Sequence, residues 1–247
     1  AGSKATCSVN VMRQTISMSG GNPIYAKGTG SSTQLTATVN GTVGNDAVAW
    51  TSGNTNIAKV SGGKVTGVGA GTVTITATSN GVSTSKSIQV KEPTIKLDRE
   101  TANIYPPATK TVTFTVTVNG VQGNSGVTWR SGNTKVATVS NGKVTAVGKG
   151  TATITAKANG KLAKAKVTVK DPYANVSPTS GTIKVGKTLQ LTTNYAPAST
   201  GTPSYSSSNK KVATVDSKGV VKGVKAGTAT ITVKVNGVTA KAEITVK

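Results

Sequence analysis

Few residues in this 247-residue chain could do chemistry, and they do not gather. Seven carboxylates are present: Asp46, Glu92, Asp98, Glu100, Asp171, Asp216 and Glu243. Acid–base work on a substrate needs two carboxyls converging on one pocket. Only Asp98 and Glu100 stand close, on either side of Arg99, an arrangement that reads as a solvated ion pair. Histidine is absent, which removes the commonest general base and the commonest metal ligand. Cys7 is the one cysteine, so neither an internal disulfide nor a thiolate metal site can form. Glu92 and Asp171 each sit between a lysine and a proline, and one carboxylate apiece falls short of a calcium shell, so both read as linker residues. Gly148-Lys149-Gly150-Thr151 lacks the spacing of a phosphate loop and reads as a turn. Asn40-Gly41-Thr42 and Asn175-Val176-Ser177 match the glycosylation triplet, a pattern too frequent to carry weight. No catalytic, cofactor-binding or metal-binding residue is assigned, no cofactor is expected, and the chain is expected not to be an enzyme.

Lysine supplies the one positive candidate. The 29 basic residues exceed the seven acidic ones by +22, and the surplus is spread as +6, +8 and +8 over residues 1–91, 92–171 and 172–247. Such a balance favours solubility and polyanionic partners. In the stretch 161–170, alternation places Ala163, Ala165, Val167 and Val169 on one face and Lys164, Lys166 and Lys170 on the other. With Lys161 these form a candidate polyanion contact. Lys241 and Lys247 repeat it downstream with Glu243 interposed, and Ser85 and Ser87 take the places upstream. Lysines on an outer or edge strand also guard against edge-to-edge aggregation. Eight aromatic residues are too few for a base-stacking surface, and no specific nucleic-acid partner is expected. No run approaches the ~20 apolar residues of a membrane helix, and AGSKATCSVNV at the start has no apolar signal region.

The elements that would position these lysines are written three times. Trp50, Trp129 and Tyr205 are spaced by 79 and 76 residues; Gly71, Gly150 and Gly227, each followed by Thr, by 79 and 77; Asn80, Asn159 and Asn236, each followed by Gly, by 79 and 77. The period is long enough for each copy to be a domain. In the second copy, strands are predicted over residues 95–97, 111–118, 127–131, 136–140, 143–147, 151–158 and 161–169, with Asn141-Gly142 and Asn159-Gly160 as hairpin turns. About seven short strands indicate a β-sandwich. Val-Lys-Glu-Pro at 90–93 and Val-Lys-Asp-Pro at 169–172 close the first two copies with stiff, short links.

Residues 50–76 and 129–155 share the run Trp-x-Ser-(Gly/Ser)-Asn-x-x-x-Ala-x-Val followed by Gly-x-Val-x-x-Val-x-x-Gly-Thr-x-x-Ile-Thr. This run resembles the bacterial Ig-like domain of group 2. The third copy departs by Tyr205 for Trp and by one extra residue in the turn at Asp216-Ser217-Lys218-Gly219. The resemblance covers roughly residues 15–247. It implies an all-β chain of three tandem immunoglobulin-like antiparallel sandwiches, at 15–91, 94–170 and 174–247, forming an elongated rod. Residues 1–14 stand apart as an N-terminal extension. Trp50, Trp129 and Tyr205 would be the core aromatics, without the inter-sheet disulfide of antibody domains. By resemblance the function is structural and adhesive: a stalk or adhesin segment of a longer bacterial surface protein, extracellular, of the kind found in intimin and invasin. The alternative it implies is a phage tail or capsid decoration on the virion surface. Anionic cell-wall or host glycans are the expected partners.

Overall fold

The computed structural model describes residues 4, 6–8, 13–40, 42, 43 and 47–247. Asp46, Gly41 of the Asn40 triplet, and residues 1–3, 5 and 9–12 of the N-terminal extension lie outside the described residues. Among the described residues every regular element is a β-strand, and no helix there is long and apolar enough to cross a membrane. The strands form three immunoglobulin-like sandwiches in tandem. By contacts the chain divides into two compact bodies. One holds the described residues up to Lys96 together with Thr117–Gly123 and Lys157–Leu162; the other holds the remainder.

In the second repeat one sheet has the order Thr101–Ile104, Lys161–Val169, Gly150–Ala158, Thr128–Ser131. The other side of the sandwich is two three-stranded sheets. One contains Thr111–Thr113, Lys143–Ala146 and Ala137–Ser140, the other Ile95–Leu97, Val116–Val118 and Val121–Gln122. The alternating stretch 111–118, expected as one strand, is therefore broken at Phe114 and Thr115. Its first half pairs with Lys143–Ala146 and its second half with Ile95–Leu97. Side chains serve the backbone at the break. Asp98 Oδ1 accepts the Thr115 amide at 3.0 Å, Asn124 Oδ1 accepts the Val116 amide at 3.1 Å, and Asn124 Nδ2 donates to the Phe114 carbonyl at 2.9 Å. In the first repeat Ser32–Val39 is unbroken but changes partner in the same way, from Lys64–Gly67 to Ile16–Gly20.

One strand in each repeat runs parallel to its neighbour, which the sequence reading did not anticipate. Thr101–Ile104 pairs with residues 166–169, Ile24–Tyr25 with residues 90–91, and Ser180–Ile183 with residues 243–246. The chain leaves one sheet after its opening strand and joins the other, covering what would be an exposed edge of the final strand.

The core follows the period-two pattern. Ala152, Ile154, Ala156, Ala165, Val167 and Val169 are all buried, and so is Phe114. The repeated turns have the geometry their residues favour. Asn80, Asn159 and Asn236 take φ of 47°, 52° and 52°, and the glycines after them 81°, 80° and 80°. Positive φ at both central residues is the two-residue hairpin turn matched to strand twist. Gly71, Gly150 and Gly227 take φ of 149°, 137° and 144°. A Cβ there would stand 2.8, 2.9 and 2.9 Å from methyls of Ile57, Val136 and Val212, so only glycine lets the strand pass that side chain.

The Ser-x-Asn motif also resolves into backbone support. Ser52, Ser131 and Ser207 accept the amides of Asn54, Asn133 and Asn209 at 3.3, 3.2 and 3.2 Å. The Asn side chains accept the amides of Asn56, Lys135 and Lys211 at 3.0, 3.1 and 3.1 Å, turns that Asn favours locally. Their carbonyls accept the amides of Ala58, Ala137 and Ala213, each fully buried. The repeated motif is used up in making shape.

Candidate polyanion-binding face

Strand Lys161–Val169 carries the lysine row. Lys164, Lys166 and Lys170 are exposed, while Ala165, Val167 and Val169 turn inward. The row also contains Leu162, 55% exposed, which places an apolar side chain among the cations. Successive side chains on one face of a strand stand about 7 Å apart, so Lys164 and Lys166 present two neighbouring ammonium groups to one partner. The strand is not an edge along its whole length. Residues 166–169 lie between two neighbours, so Lys166 does not guard an open edge. In the third repeat Lys241, on Val238–Val246, and Lys247, just beyond it, are also exposed. Glu243 projects from the strand between them, and across the ladder Lys241 faces Thr232 and Glu243 faces Thr230. Three ion pairs form among the described residues, and none involves Lys164, Lys166, Lys170, Lys241 or Lys247.

Lys161 is separated from this row. Its Nζ lies 2.8 Å from Glu92 Oε2, tying the turn at 157–162 to the residue before Pro93. The other linker acid, Asp171, pairs with Lys149. Both linker carboxylates thus find a lysine of the second repeat. Beside the Glu92 pair lies a residue that sequence reasoning missed. Asn119, 7% exposed, accepts the Thr94 amide at 2.9 Å and donates Nδ2 to the carbonyls of Lys27 at 2.8 Å and Thr29 at 3.0 Å. Every polar atom of that amide side chain is engaged. Gly28 lies between those two carbonyls, and a Cβ on it would collide with the Asn159 side chain. An Asn-Gly pair reads as a turn in sequence, and partners ninety residues away leave no local signal.

The three aromatic positions are half-buried. Trp50 packs on the first core with Met18, Ile57 and Val60, and Tyr205 on the third core with Leu189 and Val215. Trp50 Nε1 and Trp129 Nε1 are buried without a hydrogen-bond partner among the described residues. Tyr205 differs, since its hydroxyl lies 2.9 Å from Thr193 Oγ1. Leu35, Phe114 and Leu191 hold one place in the three repeats, each donating its amide to the glycine carbonyl of the facing turn. Two residues on, Ala37, Val116 and Thr193 therefore correspond, and only the third offers a hydroxyl.

Asp98 and Glu100 form no dyad. Asp98 accepts Arg99 Nε at 3.0 Å and Nη2 at 2.7 Å as well as the Thr115 amide. Burial alone would raise the Asp98 pKa, but the Arg99 guanidinium and the Thr115 amide outweigh it and hold the carboxyl below its usual value. Arg99 in turn lies over the Phe114 ring, 5.7 Å from its centre. Among the described residues no group of three or more acidic or sulfur ligands gathers where a metal could bind.

Comparison with known families is decisive for kinship. The family described as bacterial Ig-like domain (group 2) matches three times, at residues 4–90, 94–169 and 173–246. The chain belongs to the bacterial Ig-like domains of group 2. The first of these domains takes in part of what the repeat pattern left as an extension. A 52-residue stretch is 56% identical to 3-O-alpha-D-galactosyl-alpha-L-arabinofuranosidase of Bifidobacterium longum subsp. longum, covering 20% of this chain and 5% of that protein. Over 150 residues the chain is 34% identical to an uncharacterized protein of Clostridium acetobutylicum, covering 58% of this chain and 15% of the other. The chain thus spans a small part of the curated relatives it matches. Among solved structures, the S-layer protein SbsC aligns over 94% of this chain and 40% of its own, at 21% identity and a TM-score of 0.35. These bacterial Ig-like domains recur within longer, multidomain proteins.

Proposed function

We propose that this chain is a non-catalytic extracellular array, a stalk or adhesin segment of a longer bacterial surface protein. In this reading its outward lysines bind anionic glycopolymers weakly and many times over. The observation that carries the reading is the row Lys164, Lys166 and Lys170, exposed and free of carboxylate partners among the described residues. Around it the repeated motif residues are occupied in turns and core, leaving charge as the property the surface has in surplus. Membership of a family of bacterial Ig-like domains supports the placement on a cell surface.

Each contact is feeble, because exposed charges are screened beyond ~8 Å at physiological salt. Retention comes from repetition along the chain. The test is a surface coated with an anionic glycan, such as a teichoic acid or a sulfated mucin. Retention should fall steeply as salt rises, and should be far weaker for a neutral glycan.

A further inference from the structure

The second and third repeats have the same shallow cleft where the two sides of the sandwich open. In the second repeat it has a volume of about 520 Å³ and is lined by Trp129, Arg130, Ser131, Gly132, Thr134, Thr138 and Val139. In the third it is smaller, about 240 Å³, and is lined by Tyr205, Ser206, Ser207, Lys210, Thr214 and Val215. The repeat spacing superposes these linings: Trp129 on Tyr205, Ser131 on Ser207, Thr134 on Lys210, Thr138 on Thr214 and Val139 on Val215. Two strand ends of their sheets meet here. Thr128–Ser131 is the last strand of one sheet and Ala137–Ser140 the last of the other, with Ser204–Ser207 and Ala213–Val215 in the same places downstream.

Each feature fits a carbohydrate. An edge strand leaves every second backbone amide and carbonyl unpaired, a row of donors and acceptors at the spacing of the strand. Serine and threonine hydroxyls add donors and acceptors on the rim, and a half-buried aromatic ring supplies an apolar wall. Neither cleft has a carboxylate in its lining, and a basic residue borders each, Arg130 on the outward face of its strand in one and Lys210 in the turn of the other. The edges are only three to four residues long, short for adding a peptide strand. We propose that these clefts, one in each of these two repeats, are subsites for acidic sugar residues of a polysaccharide. This rests on the polyanion reading above and adds to it a defined place, away from the lysine row, where individual sugars are recognised.

The experiment is an amide-resonance titration of the full chain with a size-defined oligogalacturonate and, in parallel, with neutral maltohexaose. Shifts are expected to cluster at residues 129–139 and 205–215, with the acidic saccharide only. Arg130→Glu and Lys210→Glu, both exposed, should each weaken binding about threefold, the scale of one exposed charge contact. Shifts confined to residues 164–170, equal shifts with maltohexaose, or unchanged binding in both variants would overturn the subsites. The polyanion reading would then survive if Lys164→Glu with Lys166→Glu still lowered retention on the glycan surface, and would fall separately if it did not. Binding of an unstructured peptide along 128–131 at the expense of the saccharide would identify the cleft as a peptide edge and also overturn the proposal.

Discussion

The second and third repeats build one shape with different residues, and the differences separate what the shape requires from what the surface is free to vary. At the aromatic position the second repeat has Trp129, whose indole nitrogen is buried without a partner among the described residues, and the residue corresponding to Thr193 is the apolar Val116. The third has Tyr205, whose hydroxyl meets Thr193. A larger ring offers more apolar contact but leaves an orphan donor; a smaller one has its polar atom satisfied. Outside, the second repeat presents Lys164, Lys166, Thr168 and Lys170 on one face with no acid among them, whereas the third places Glu243 where the second has Lys166. The core changed by compensated substitution; the charged face changed without any compensation that the fold requires.

The largest test of this comparison is Trp129→Ala. Removing this half-buried indole should cost about 2–3 kcal/mol, below the ~3–5 kcal/mol of a fully buried ring, seen as a lower urea midpoint. If Trp129 is replaced by Tyr instead, the phenol gains no counterpart of Thr193, and the loss should be partly recovered by adding Val116→Thr. In the third repeat, Tyr205→Phe should cost about 1 kcal/mol, the net worth of one hydrogen bond. A double-mutant cycle with Thr193→Val should show coupling, and strict additivity would mean that the 2.9 Å contact contributes nothing.

Much of this was legible in sequence because it is local. The Asn159-Gly160 and Asn141-Gly142 turns and the Gly150 crossing all depend on backbone angles that few residues other than glycine and asparagine adopt readily. The inward and outward faces of 161–170 follow from period-two alternation. What was not legible is long-range or contrary to pattern. Residues 111–118 alternate without interruption, so nothing marked the break that Asp98 and Asn124 stabilise from outside the strand. Thr101–Ile104 is short and its pairing is parallel, which alternation does not encode. Lys161 looked like part of the row, but its sequence neighbours could not reveal Glu92.

Two smaller effects sharpen the contrast. Asp98 supports the second repeat, and the equivalent place in the third is Ser177. Its folded pKa is depressed, so its stabilisation is present above the unfolded carboxylate value and is lost as pH falls through the folded one. Asp98→Asn should therefore lower stability by less than about 1 kcal/mol at neutral pH and flatten the acid limb of the melting-temperature profile below about pH 4. Glu243→Lys gives the third repeat the acid-free row of the second. It should raise glycan retention modestly and leave the melting temperature within about 1 °C, as exposed charges do little to stability.

The most direct measurement is retention of Lys164→Glu/Lys166→Glu on an anionic glycan surface across a salt series, beside the unchanged chain. Both side chains face outward, so the variant should melt like the parent. The account predicts clearly weaker retention at low salt, with the two curves converging as salt rises and screening removes the difference. Retention that ignores salt, or that is equal for variant and parent at low salt, would contradict it and leave the charge as a determinant of solubility alone.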